Sequence, residues 1–82
     1  MEYSLIIPIY NEASTITSLI NQINDLNDIN EIIIIDDGSN DGTTKILSNF
    51  RNIKLIINNK NEGKSTSIVK ALKKTRGKYV VL

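Results

Sequence analysis

Polar and apolar positions follow two different periods along the chain. Ser4–Ile9 is a short apolar run bounded by Pro8 and the polar Asn11 and Glu12, and it reads as a buried strand. Ile16, Leu19, Ile20, Ile23 and Leu26 then recur at i, i+3, i+4, i+7 and i+10, which is one face of a helix. Ile32–Ile35 is a run of four β-branched residues. Apolar character without alternation predicts a strand covered on both faces, as in a parallel sheet. Asp36–Gly42 interrupts the pattern with two glycines and a cluster of turn formers. Asp41 is the predicted N-cap of a short helix whose apolar side is Ile46, Leu47 and Phe50. Ile53–Ile57 is the third predicted strand, Asn58–Gly63 a polar loop, and Ile68, Val69, Ala71 and Leu72 mark a third helix. Lys73, Lys74 and Arg76 complement the negative end of that helix, and Gly77 is its C-cap. Tyr79–Leu82 opens a fourth apolar run.

The resulting order, β-α-β-α-β-α-β, predicts an α/β fold: a three-layer, Rossmann-like parallel sheet with helices on its faces. Right-handed crossovers favour the spatial order 3-2-1-4, with a switch point between the first and fourth strands. Ligands of such sheets bind beyond the carboxyl ends of the strands at that point. No repeat, linker or low-complexity tract divides residues 1–82, so the chain reads as one unit.

Composition narrows the chemistry. A chain of 82 residues buries only roughly 60–65% of its unfolded surface, which predicts marginal stability. Its 40% hydrophobic and 23% charged residues are ordinary for a folded segment and too apolar for a disordered one. With no cysteine and no histidine, disulfides, thiolate metal sites and imidazole bases are excluded. Any acid–base chemistry therefore rests on Asp, Glu, Lys or Tyr. The apolar runs fall far short of the roughly 20 residues of a membrane span, and Glu2 stands where a secretory signal carries basic residues. A cytoplasmic location is the expectation. Eight of the nine acidic residues lie at or before Asp41, while every basic residue lies at or after Lys45. Solvated faces explain that asymmetry; basic residues facing phosphates are the sharper reading.

Three polar loops follow the first three strands: Pro8-Ile9-Tyr10-Asn11-Glu12, Asp36-Asp37-Gly38-Ser39-Asn40-Asp41-Gly42-Thr43 and Asn61-Glu62-Gly63-Lys64-Ser65. In a parallel sheet they share one rim. Each residue type there suits a nucleotide: Tyr10 can stack on a base, and Asp37 can accept a hydrogen bond from a uracil or guanine N–H. Gly38 permits close approach or a positive φ. Gly63 at a helix start exposes backbone N–H groups to phosphate, with Lys64 adding positive charge. Taken singly, each has a plain structural reading: Tyr10 as a half-buried aromatic, Asp36 and Asp37 as turn formers, Lys64 as a solvated lysine.

Together the segments SLIIPIYNEASTI, EIIIIDDGSNDGT and NEGKSTSIVKALKKTRGKYVVL resemble the start of glycosyltransferase family 2, of GT-A fold, and look most like its polyprenyl-phosphate (dolichyl-phosphate-type) branch. The resemblance covers essentially all of the chain. It implies transfer of a sugar from a UDP- or GDP-sugar to an acceptor such as a lipid phosphate, a polysaccharide or a protein. It also implies that Pro8, Tyr10 and Glu12 line the base and ribose pocket, that Asp37 bonds the base, that Asp36 and Gly38 shape that loop, and that Lys64 sits near the nucleotide. The family's fourth strand runs into an Asp-x-Asp motif holding Mg²⁺ or Mn²⁺, which would fall just beyond Leu82. Residues 1–82 are accordingly expected to be the N-terminal, nucleotide-binding part of a GT-A domain. Alone, they should bind no metal, carry no catalytic residue and show little transferase activity. Their complement would be a C-terminal half or another chain, and the complete enzyme would work in the cytoplasm or on the cytoplasmic face of a membrane.

Other motifs fail. A P-loop ending at Gly63-Lys64-Ser65 needs glycine where Asn58 stands. An EF-hand starting at Asp37 needs glutamate where Ser48 stands. No G-x-G-x-x-G is present. Two alternatives stay open: a non-catalytic nucleotide-binding module, and a basic α/β domain binding nucleic acid or anionic membrane. Under the leading reading no nucleic-acid partner is expected.

Overall fold

The computed structural model describes residues 3–26, 29–60, 66, 68, 69, 72, 73 and 79–81. Its elements are β1 (Tyr3–Ile9), α1 (Ile16–Asn24), β2 (Ile29–Asp37), α2 (Thr43–Leu47), β3 (Lys54–Asn58) and β4 (Tyr79–Val81). Thr66, Ile68, Val69 and Leu72 are helical, on the segment where periodicity predicts the third helix. The predicted C-cap Gly77 lies outside the described residues.

The four strands form one sheet in the order β3-β2-β1-β4. Every pairing is parallel, with Ile6 beside Ile33 and Val81, and Asp37 beside Asn58. Leu5, Ile7, Ile9, Ile32 and Ile34 point to one face, where Ile16, Ile20 and Ile23 of α1 and Leu47 of α2 meet them. Ile6, Ile33 and Ile35 point to the other face and pack against Ile56 and Leu72. The continuous isoleucine run in β2 is thereby explained, since alternate side chains fill two separate cores. Burying each contributes about 1.5–3 kcal/mol relative to leaving it exposed. The division of helices between faces has a simple cause. Crossovers of one hand moving from β1 to β2 to β3 keep α1 and α2 on one face, and the return across β1 to β4 puts Leu72 on the opposite one.

Two local readings are corrected. Leu26, assigned by periodicity to the apolar face of the first helix, lies past the end of α1 and is 55% exposed. The helix stops because Asp25 N–H and Leu26 N–H turn back to Gln22 and Ile23 carbonyls, tightening the last turn. The N-cap of α2 is Gly42, at φ 100°, and not Asp41. Asp41 still supplies the capping carboxylate, but from one residue earlier.

Candidate functional site

The carboxyl ends of β1 and β2 are neighbours, so the loops leaving them meet. The β2 loop is fixed from beneath by Asp36, which is wholly buried: Ser39 N–H donates to its Oδ1 at 3.1 Å, and the Thr44 hydroxyl donates to Oδ2. Gly38 turns the chain at φ 80°, in the region that disfavours any Cβ. Asp37, the last residue of β2, is 5% exposed, and Asn58 Nδ2 at the end of β3 donates to its Oδ1 at 2.8 Å. The neighbouring strand thus orients this carboxylate.

The β1 loop is held against the β2 loop by four hydrogen bonds. Asn11 N–H donates to Ser39 Oγ at 2.9 Å, and Asn11 Oδ1 accepts from Asn40 N–H at 2.8 Å. Glu12 N–H donates to Thr43 Oγ1 at 3.0 Å, and Ala13 N–H donates to Asp41 Oδ2 at 3.1 Å. Asp41 Oδ1 accepts from both the backbone and the hydroxyl of Thr43. A relay therefore runs from Glu12 N–H through the buried Thr43 hydroxyl to the Asp41 carboxylate. Asn11 sits at φ 53°, a left-handed conformation that asparagine tolerates better than most residues. Each such bond contributes about 0.5–1.5 kcal/mol net, somewhat more where the acceptor is charged.

Electrostatics follow from these bonds. The Asp41 carboxyl is held below its ordinary value of 3.8, chiefly by the Thr43 hydroxyl; desolvation is the next largest effect and opposes it, and the Ala13 and Thr43 N–H groups add to the lowering. Hydrogen bonds donated to the ionised form favour it.

Of the residues predicted for the site, Pro8, Tyr10, Glu12, Asp36, Asp37 and Gly38 all lie along this double loop. Pro8 is half-buried in β1 opposite Ile35, two residues beyond Ile6, the last described partner of β4. Its missing N–H therefore interrupts none of the described β1–β4 pairs. Tyr10 is 45% exposed, so its ring is open to a ligand. Glu12 is exposed, and its carboxylate accepts from the Thr15 hydroxyl at 2.8 Å. Lys64 and Gly63 lie outside the described residues. Sequence reasoning assigned no role to Asn11, Ser39, Asn40, Thr43 or Asn58. The one local signal was Asn11, a residue type suited to positive φ, directly after a strand.

A divalent ion is implied by the family resemblance, and the described residues do not fit one. Asp36, Asp37 and Asp41 are each engaged by protein donors. No group of three or more His, Cys, Asp or Glu side chains is poised for a metal among the described residues.

Comparison with known proteins gives the family. The family model described as Glycosyl transferase family 2 matches residues 4–82. The chain belongs to that family. It is 33% identical to the dolichyl-phosphate beta-glucosyltransferase of Dictyostelium discoideum, over 96% of this chain and 29% of the relative. It is 31% identical to the undecaprenyl-phosphate 4-deoxy-4-formamido-L-arabinose transferase of Yersinia pestis, over 95% of this chain and 27% of the relative. An uncharacterised protein of Methanocaldococcus jannaschii is 36% identical over 93% of this chain and 36% of its own length. The names of the first two match the polyprenyl-phosphate branch that the motifs resemble. The chain spans about a third of the length of the curated relatives it matches.

Proposed function

We propose that residues 1–82 bind the nucleotide of a UDP- or GDP-sugar, as the N-terminal portion of a GT-A glycosyltransferase domain. The observation that carries this reading is the clasped double loop at the carboxyl ends of β1 and β2. It carries an exposed aromatic residue, Tyr10, directly after β1 and a carboxylate, Asp37, at the end of the neighbouring β2. A flat ring supplies a stacking surface that every base can use, while the carboxylate selects bases with an N–H to donate. Pro8, Glu12, Asp36 and Gly38 shape the pocket, and Lys64 adds positive charge near the diphosphate. The donor sugar is transferred by the complete protein, with a polyprenyl phosphate as acceptor at the cytoplasmic face of a membrane. That assignment draws on the named relatives; no described helix is long and apolar enough to cross a membrane itself. Leaving-group stabilisation and the general base come from outside these residues, so the 82-residue chain binds without turning over. A Mg²⁺ or Mn²⁺ ion in the complete enzyme needs other ligands.

Isothermal titration with UDP and GDP tests the reading. One of them should bind, and Tyr10→Ala should weaken that binding about tenfold through lost stacking. Asp37→Ala should weaken it as well and blur the choice between bases. Indifference of the wild-type chain to both nucleotides would sink the proposal.

A further inference from the structure

We propose that Asn11 and Asp41 are positioning residues of the nucleotide rim, acting through Tyr10. The inference rests on the nucleotide-binding reading above and adds two residues that touch no nucleotide in it. Tyr10 is 45% exposed at the end of a strand, so burial does little to fix its ring. The backbone that carries it is held by the segment that follows. Three successive backbone N–H groups, of Asn11, Glu12 and Ala13, all donate to side chains of the β2 loop. Asn11 closes the clasp in the reverse direction by accepting from Asn40 N–H, and does so at φ 53°. Asp41 anchors the far end, gripping Ala13 and Thr43 with its two oxygens. The β2 loop that receives these bonds is tied down by the buried Asp36, next to Asp37. The ring and the base-reading carboxylate therefore belong to one unit whose β1 and β2 loops are ordered before a ligand meets them. The isoleucine core is built from other residues than those of the clasp, so positioning can be read separately wherever a variant still folds.

The test is a set of titrations of the 82-residue chain with UDP and GDP, with circular dichroism confirming that each variant is folded. Asn11→Gly keeps the left-handed backbone and removes the acceptor for Asn40; Asn11→Asp keeps both; Asp41→Ala removes the anchor. Asn11→Gly and Asp41→Ala should each weaken binding about fivefold or more, and Asn11→Asp should stay within about twofold of wild type. In a Tyr10→Ala background the same two losses should shrink below about twofold, because the ring through which the two residues act is gone. Wild-type affinity in both weakened variants, or an equal loss with and without Tyr10, overturns the inference while leaving nucleotide binding intact. If wild type binds neither nucleotide, the functional reading fails and this one with it. Should Asp41→Ala not fold, the exposed Asn11 pair decides alone.

Discussion

The two ends of the sheet carry the same kinds of side chain and use them differently. At the carboxyl end, Asp36 and Asp41 accept hydrogen bonds from backbone N–H groups, and those bonds fix where two loops run. At the amino end, Glu31 pairs with two side chains: Lys54 Nζ at 2.7 Å across to β3, and the Ser4 hydroxyl on β1. There the backbone is already set by the strand ladder, and the carboxylate joins neighbours that need no help to stay in place. An open cleft of about 210 Å³ lies near that end, with Leu26, Glu31 and Asn52 in its wall. A carboxylate therefore shapes a loop when it grips the main chain and only decorates a strand when it pairs with another side chain.

Four substitutions probe this contrast. The largest effect should come from Asp36→Ala, which strips a buried residue that holds Ser39 N–H and Thr44. The loss should be about 3 kcal/mol in urea denaturation. A loss under about 1 kcal/mol would show that the rim is rigid for another reason. Thr43→Val keeps shape and removes the relay between Glu12 N–H and Asp41, so about 1–2 kcal/mol should go. Asp41→Asn should change the pH dependence. The folded-state carboxyl lies below its ordinary value of 3.8, so its contribution is full above that value and disappears as pH falls through the lowered one. The wild-type stability should fall more steeply than that of Asp41→Asn on acidification below the ordinary carboxylate range, and parallel curves would remove Asp41 from the clasp. The smallest effect should be Lys54→Met at the amino end. Lys54 is 61% exposed, so the loss should stay below about 1 kcal/mol and shrink further in salt. A loss of several kcal/mol there would erase the contrast between the two ends.

Much of this was legible beforehand because the deciding physics is local. The 3.6-residue spacing of Ile16, Ile20 and Ile23 and the unbroken Ile32–Ile35 run identify an amphipathic helix and a strand buried on both faces. Leu26 kept the helical spacing and still fell outside α1, since periodicity does not register a last turn that tightens early. Asp41 is a capping side chain as expected, but the cap position itself falls one residue later, at Gly42, which takes the left-handed conformation. The roles of Asn11, Ser39 and Thr43 were not legible. Their partners lie 28 to 31 residues away in the chain.

By itself, then, the sequence determined the alternation of strands and helices, the polar residues available at one rim and the family to which the chain belongs. Those depend on spacing and residue type, which need no knowledge of distant neighbours. The tertiary structure decided which helices cover which face and how the two loops interlock. The physical reason is adjacency. Only once β1 and β2 pair in parallel do Asn11 and Asp41 come within hydrogen-bonding reach of the opposite loop, and the set of polar residues becomes a surface with one shape.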